Sequence, residues 1–186
     1  GAIADFSKVI EINPQDSEAY SRRGVAKKVL GDDQGANADF RRAITDLSKI
    51  IEINPQDSSA YSKRSFAKFF LDDYQGGLAD SSKAIAINPK NKDAYINRGL
   101  AKVGLEDYQG AIADHSKAIE IDPQDADAYY NRGHAKGRSG DYQGAIADFN
   151  KAIEINPQYA NTYHLRGFAK IESGDYQGAI ADFNQA

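Results

Sequence analysis

Cysteine, methionine and tryptophan are absent from the 186 residues. Without cysteine, neither a disulfide framework nor a thiolate metal site can form; that absence says nothing of compartment. Strong charge of one sign is also missing. The formal net charge is −4, which argues against the basic footprint that nucleic acid or an anionic membrane surface selects. No apolar run approaches the roughly 18 residues of a membrane span, and no secretory signal is visible. His115, His134 and His164 are the only histidines, and none has a partner at metal-ligand spacing. No phosphate-cradling glycine motif occurs, so the sequence points to no cofactor, no metal and no catalytic residue. Beginning at Gly1 and lacking methionine, it reads as a fragment or a processed form.

Proline is scarce too, and its placement organises the chain. Pro14, Pro55, Pro89, Pro123 and Pro157 sit in near-copies of one I-N/D-P-Q/K junction. Their spacing is 41 residues and then 34 three times, a period that marks a repeat architecture. Each interval reads as two amphipathic helices. In one, Ala126 to about Ser139 forms a first helix and Gln143 to about Ile155 a second. Gly140 suits the left-handed end of the first, Asp141 can cap the second, and Pro157 stops it. Ala145, Ile146, Phe149, Ala152 and Ile153 follow the i, i+3, i+4, i+7, i+8 stripe of a buried face. Tyr20, Tyr61, Tyr95, Tyr129 and Tyr163 form one repeated column, and Ala26, Ala67, Ala101, Ala135 and Ala169 another. One helix pair cannot bury such a face alone, whereas stacked pairs share a continuous core.

A 34-residue helix–turn–helix with Tyr129, Gly133, Ala145, Phe149, Ala152 and Pro157 in register resembles the tetratricopeptide repeat. The resemblance covers the whole chain and implies an all-α, right-handed superhelical solenoid of antiparallel helix pairs. Residues 1–16 read as the second helix of a partial repeat. Residues 17–57 form a repeat with a seven-residue helix extension; 58–91, 92–125 and 126–159 are full repeats, and 160–186 is truncated. Two columns depart from the family pattern. Arg23, Arg64, Arg98, Arg132 and Arg166 stand where leucine is usual; Lys27, Lys68, Lys102, Lys136 and Lys170 stand where tyrosine is frequent. Asp5, Asp39, Asp80, Asp114, Asp148 and Asp182 recur on the second helices. A ladder of ion pairs between packed helices accounts for all three columns; the rival reading is a basic stripe for an acidic partner.

In proteins resembling this one, first helices line a groove that receives an extended peptide or a partner helix. The resemblance therefore implies a protein-binding scaffold, not an enzyme, with a groove drawn from Arg22, Val25, Lys63, Phe66, Ile96, Asn97, Leu100, Tyr130, Asn131, His134, His164, Leu165 and Phe168. Val25, Phe66, Leu100, His134 and Phe168 make a mostly apolar row suited to side-chain pockets. Asn97 and Asn131 could hydrogen-bond an extended backbone. Arg22, Lys28 and Lys63 suggest an acidic ligand end near the first full repeats. Ser21 and Val25, or Ser62 and Phe66, occupy the places where a chaperone-tail clamp needs lysine and asparagine, which argues against that ligand. The alternative is a self-assembling or complex-organising scaffold, stacking head to tail through the second helices at Gly1–Ile12 and Gly178–Ala186. RNA binding is disfavoured by the acidic balance.

Two irregularities carry expectations. Asp39–Thr45 (DFRRAIT) is followed by the similar Asp46–Glu52 (DLSKIIE). Seven residues keep an apolar face in phase within about 20°, which predicts one long unbroken helix protruding beyond its neighbours. In the next repeat Ser65, Gly77 and Ser81 replace the usual glycine, alanine and phenylalanine. Phe69 and Phe70 either fill that gap or form a contact patch, and this repeat is expected to be locally flexible.

Overall fold

The computed structural model describes Gly1–Ala186 and is entirely helical. Eleven helices follow in chain order: α1 (Ala2–Ile12), α2 (Ser17–Val29), α3 (Asp33–Ile53), α4 (Ser58–Phe69), α5 (Tyr74–Ile87), α6 (Lys92–Gly104), α7 (Tyr108–Ile121), α8 (Ala126–Arg138), α9 (Tyr142–Ile155), α10 (Ala160–Glu172) and α11 (Tyr176–Phe183). Short polar signals set the ends. Asp32, Asp73, Asp107, Asp141 and Asp175 each accept the backbone N–H of the glycine three residues on, capping the second helices. First helices end in a left-handed residue. Gly31, Gly140 and Gly174 take φ of 81°, 88° and 86°, while Asp72 and Glu106 adopt it at 58° and 62° without glycine's freedom.

The chain divides into two compact units, Gly1–Ala101 and Lys102–Ala186. In the second unit α8 packs on α7 and α9, and α10 on α9 and α11. Its core is Ala145, Phe149 and Ala169, with Tyr130, Ile146 and Leu165 packed against them. Helices approach closely because a ring replaces a side chain. A Cβ on Gly133 would stand 2.8 Å from the Phe149 ring, and one on Gly167 would stand 2.6 Å from Phe183. Across each joint an arginine ties three elements. Arg132 donates to both Asp148 oxygens at 2.8 and 2.6 Å and to Ser116 Oγ at 3.1 Å, while Lys136 shares the same carboxylate at 2.8 Å. Arg166 repeats this with Asp182 and Asn150, and Lys170 joins it.

The first unit uses the same joint with one displacement. Arg23 binds Asp39 and Ser7; Arg64 binds Asp80 and Ser48. Ser48 lies two residues after Asp46, the duplicate of Asp39. Thus α2 docks on the first heptad copy and α4 on the second, about 10 Å further along one axis at 1.5 Å per residue. The seven extra residues lie inside α3, unbroken over 21 residues against 14 in α5. They do not project freely as expected: Leu47 and Ile51 are buried against Ala60 and Tyr61. With no first helix at its level, Asp46 is satisfied within its own helix by Arg42 and Lys49, at 2.7 and 3.3 Å.

The displacement also redirects the extra phenylalanines. Phe70 stacks on Phe40 at 4.8 Å with ring planes 7° apart, and Phe66 meets Phe70 edge-on at 5.0 Å. They do not fill the gap at Ser81, which closes by hydrogen bonding. The fully buried Ser65 and Ser81 hydroxyls donate to the Gly77 carbonyl at 2.8 and 2.7 Å. Losing the ring at 81 leaves room for a side chain at 65, so the two substitutions compensate.

Candidate functional site

The first-helix residues singled out by sequence fall into different surroundings. In the first unit Arg22 and Lys63 are exposed, on α2 and α4, and bind opposite oxygens of Glu18 at 2.8 and 2.9 Å. Hydrogen bonds from Lys63, then Arg22, hold the Glu18 carboxyl below its ordinary value. Two cations sharing one anion leave little positive field for an acidic ligand end. Val25 packs against the Phe40 cluster, and Phe66 is engaged by Phe70. On α6, Ile96 and Leu100 are half-buried. Asn97 is only 6% exposed; its Nδ2 donates to the Ser62 carbonyl at 3.0 Å and hydroxyl at 3.2 Å. Its amide joins α4 to α6 and is not presented to a ligand, unlike the role implied by the resemblance.

The second unit gathers its residues on α8 and α10. Tyr130 is half-buried, stacked on Tyr159 at 5.0 Å and tilted against Phe149 at 6.2 Å. Burial first, and Asp127 second, push the Tyr130 and Tyr159 hydroxyls up. Asn131 lies beside Tyr130, half-buried. One turn on, burial and then Arg138 hold the His134 imidazole below its ordinary value. Phe168 is 50% exposed and meets His164 and Phe183 edge-on, at 4.8 and 5.5 Å. His134, Gly137, Phe149, Leu165 and Phe168 surround an apolar cavity of about 190 Å³. Neutral imidazole, aromatic faces and aliphatic groups suit an apolar side chain, with Asn131 alongside to pair with a backbone.

Three family models match the chain: tetratricopeptide repeat over residues 126–159, TPR repeat over 103–140, and tetratricopeptide repeat over 149–181. The chain is a tetratricopeptide repeat protein. No curated protein matches it significantly. Among solved structures the TPR fold here is similar to MamA, at 24% identity and TM-score 0.71 over 87% of this chain and 91% of that one. It is also similar to TTC0263, a thermophilic TPR protein of Thermus thermophilus, at 19% identity and TM-score 0.73 over 91% and 89%. YrrB, a TPR protein with an unusual peptide-binding site, matches at 20% identity and TM-score 0.62 over 97% and 89%. At these identities the likeness is one of fold, a TPR-like helical solenoid.

Within that TPR frame the arginine and lysine columns are internal. Arg23, Arg64, Arg132 and Arg166, with Lys27, Lys68, Lys102, Lys136 and Lys170, are bound to the aspartate column. The arginines also lie over the tyrosine column, 5.4 to 5.6 Å from the ring centres. This removes the reading of a basic stripe for an acidic partner. Two contributors to the α8–α10 face were absent from the sequence set. Tyr159 stands where Asp16, Asp57, Asn91 and Asp125 cap the other first helices, and α10 has no side-chain cap. That break in the capping column was a readable signal. Gly137 has none, because what it opens depends on α10.

Proposed function

We propose that this TPR chain is a protein-interaction scaffold that takes a partner segment on its first-helix faces, chiefly across α8 and α10. One observation carries the reading. The repeat's charged residues are consumed by its own joints, while Tyr130, Asn131, His134, Leu165 and Phe168 offer a half-exposed aromatic and apolar face around a cavity. Monomeric surfaces seldom leave such patches without a binding role, and a partly buried aromatic is the usual energetic anchor of an interface. YrrB's peptide-binding site lends the class of ligand, an extended peptide. The test is capture from source lysate by the parent and by an Asn131→Ala, Phe168→Ala variant of unchanged helicity. A protein captured by the parent and lost by the variant supports the reading; equal capture by both removes the α8–α10 face.

A second reading is self-association, supported by exposed apolar residues on α1 and α11. Ile12 is 86% exposed and Ile180 54%. Sedimentation equilibrium decides it, since a molar mass independent of concentration excludes assembly through these faces.

A further inference from the structure

The α8–α10 cavity owes its existence to one residue. Gly137 occupies the place of Lys28, Phe69, Val103 and Ile171 in the other first helices. It is helical, yet packing does not demand glycine there. A Cβ would meet nothing closer than the Ala145 methyl at 3.8 Å, an ordinary contact. Glycine weakens a helix relative to any residue with a side chain, so this opening brings the fold no benefit. Four residues earlier Gly133 does serve the fold, because the Phe149 ring fills its Cβ position. In the first unit the ring equivalent to Phe149, that of Phe40, is covered by Phe70 instead of by an opening.

The opening's size and rim select its occupant. At about 190 Å³ it is smaller than the roughly 300–1,000 Å³ of small-molecule sites, but it has room for one large side chain. Phe149, Leu165 and Phe168 make its walls apolar. Of the two charges on its rim, Arg138 is already engaged: it donates to the Tyr108 hydroxyl at 2.9 Å and lies over that ring at 5.4 Å. Glu172, on α10, is exposed and carries its charge unopposed.

Resting on the proposed peptide-binding reading, we infer that the Gly137 cavity is an anchor site for one large apolar side chain of a partner segment that carries lysine or arginine next to it. The apolar group displaces water from Phe149 and Phe168, and the neighbouring cation meets Glu172. Area alone sets the expected scale: burying one aliphatic or aromatic side chain corresponds to about tenfold in affinity or more.

The variant Gly137→Leu tests this without damaging the fold, because leucine is a strong helix former and the space for it is the cavity itself. A random-peptide phage library is selected on the parent, and the recovered peptides are measured by fluorescence anisotropy on parent, Gly137→Leu, Glu172→Lys and Tyr130→Ala. The inference expects a shared large apolar residue beside lysine or arginine. It also expects binding at least about tenfold weaker on Gly137→Leu, whose melting temperature equals or exceeds the parent's. Glu172→Lys weakens the same peptides but spares versions whose basic residue is replaced by serine. Peptides that bind Gly137→Leu as well as the parent, yet are lost on Tyr130→Ala, overturn the anchor while leaving the α8–α10 face in place. Peptides indifferent to every variant, or no peptide at all, overturn the binding reading together with the anchor.

Discussion

At the scale of single residues, identical amino acids do opposite things one helical turn apart. Gly133 is required because the Phe149 ring lies where its Cβ would be, at 2.8 Å, whereas a Cβ on Gly137 would meet only the Ala145 methyl at 3.8 Å. Gly133→Ala is expected to destabilise the chain by about 1–3 kcal/mol through overpacking. Gly137→Ala should stabilise it by roughly 0.5 kcal/mol through helix propensity. Urea titrations of both variants check the pair, and the same sign for both would refute the packing account. The aspartate column makes a second residue-scale prediction. Asp148 is 4% exposed and holds Arg132 and Lys136. Asp148→Asn keeps the shape but removes the anion from two partly buried cations. A loss of about 2 kcal/mol is expected, below the full cost of breaking a buried pair because both cations keep some solvent. Unchanged stability would mean that the ladder decorates the joints without holding them.

The element that most shapes the first unit is α3. Its duplicated heptad preserves the phase of the buried stripe while moving the docking level of α4 by two turns, and that distinction separates two deletions. Removing residues 39–45 lets Asp46 take over from Asp39 beneath Arg23 and Lys27, so the protein is expected to fold cooperatively with unchanged helicity per residue. Removing only residues 39–43 turns everything after the cut by about 140° and swings Leu47 and Ile51 out of the core; that variant is expected to lose cooperative unfolding. Circular dichroism during thermal melting separates the two, and equal behaviour would show that phase is not what the duplication protects. What the sequence revealed here follows from the same physics. The continuous helix was legible, because phase depends only on residue count. Whether the added turns project or are used depends on where α4 lands, which no single helix encodes. Asn97 was misplaced for a similar reason: its position on the helix matched a ligand-facing column, but the Ser62 hydroxyl on α4 draws its amide inward. Repeated columns were easy to read because five copies state them; departures such as Ser65 with Ser81 acquire meaning only as contacts.

For the molecule as a whole, acid stability brings the buried joints and the odd histidine into one measurement. His115 stands in α7 where α9 has Phe149, is fully buried, and neither ring nitrogen has a hydrogen-bond partner. Burial holds its imidazole down at about 4, from an ordinary 6.5; Arg132, His134 and Lys102 add to this and Asp114 opposes it. Above pH 6.5 the ring is neutral in both folded and unfolded chains, so its contribution is complete. As pH falls from 6.5 towards 4, the unfolded chain takes up a proton that the folded one refuses, and stability falls with it. The loss from this group amounts to about 3 kcal/mol by pH 4 and grows little below it. The carboxylates act later. Burial pushes Asp39 and Asp182 up, but hydrogen bonds from their arginine and lysine partners outweigh it and hold both below 3.8. Their stabilisation is therefore intact above 3.8 and disappears only at lower pH. Unfolding free energy measured in urea between pH 7 and 3 should decline first through the histidine window and then through the carboxylate window. His115→Phe, which restores the residue of α9, is expected to flatten most of the first decline and leave the second. A residual slope from His134, which is held down in the same direction, remains. If His115→Phe left the slope between pH 6.5 and 4 unchanged, the buried imidazole would not be the group that makes this fold acid-sensitive.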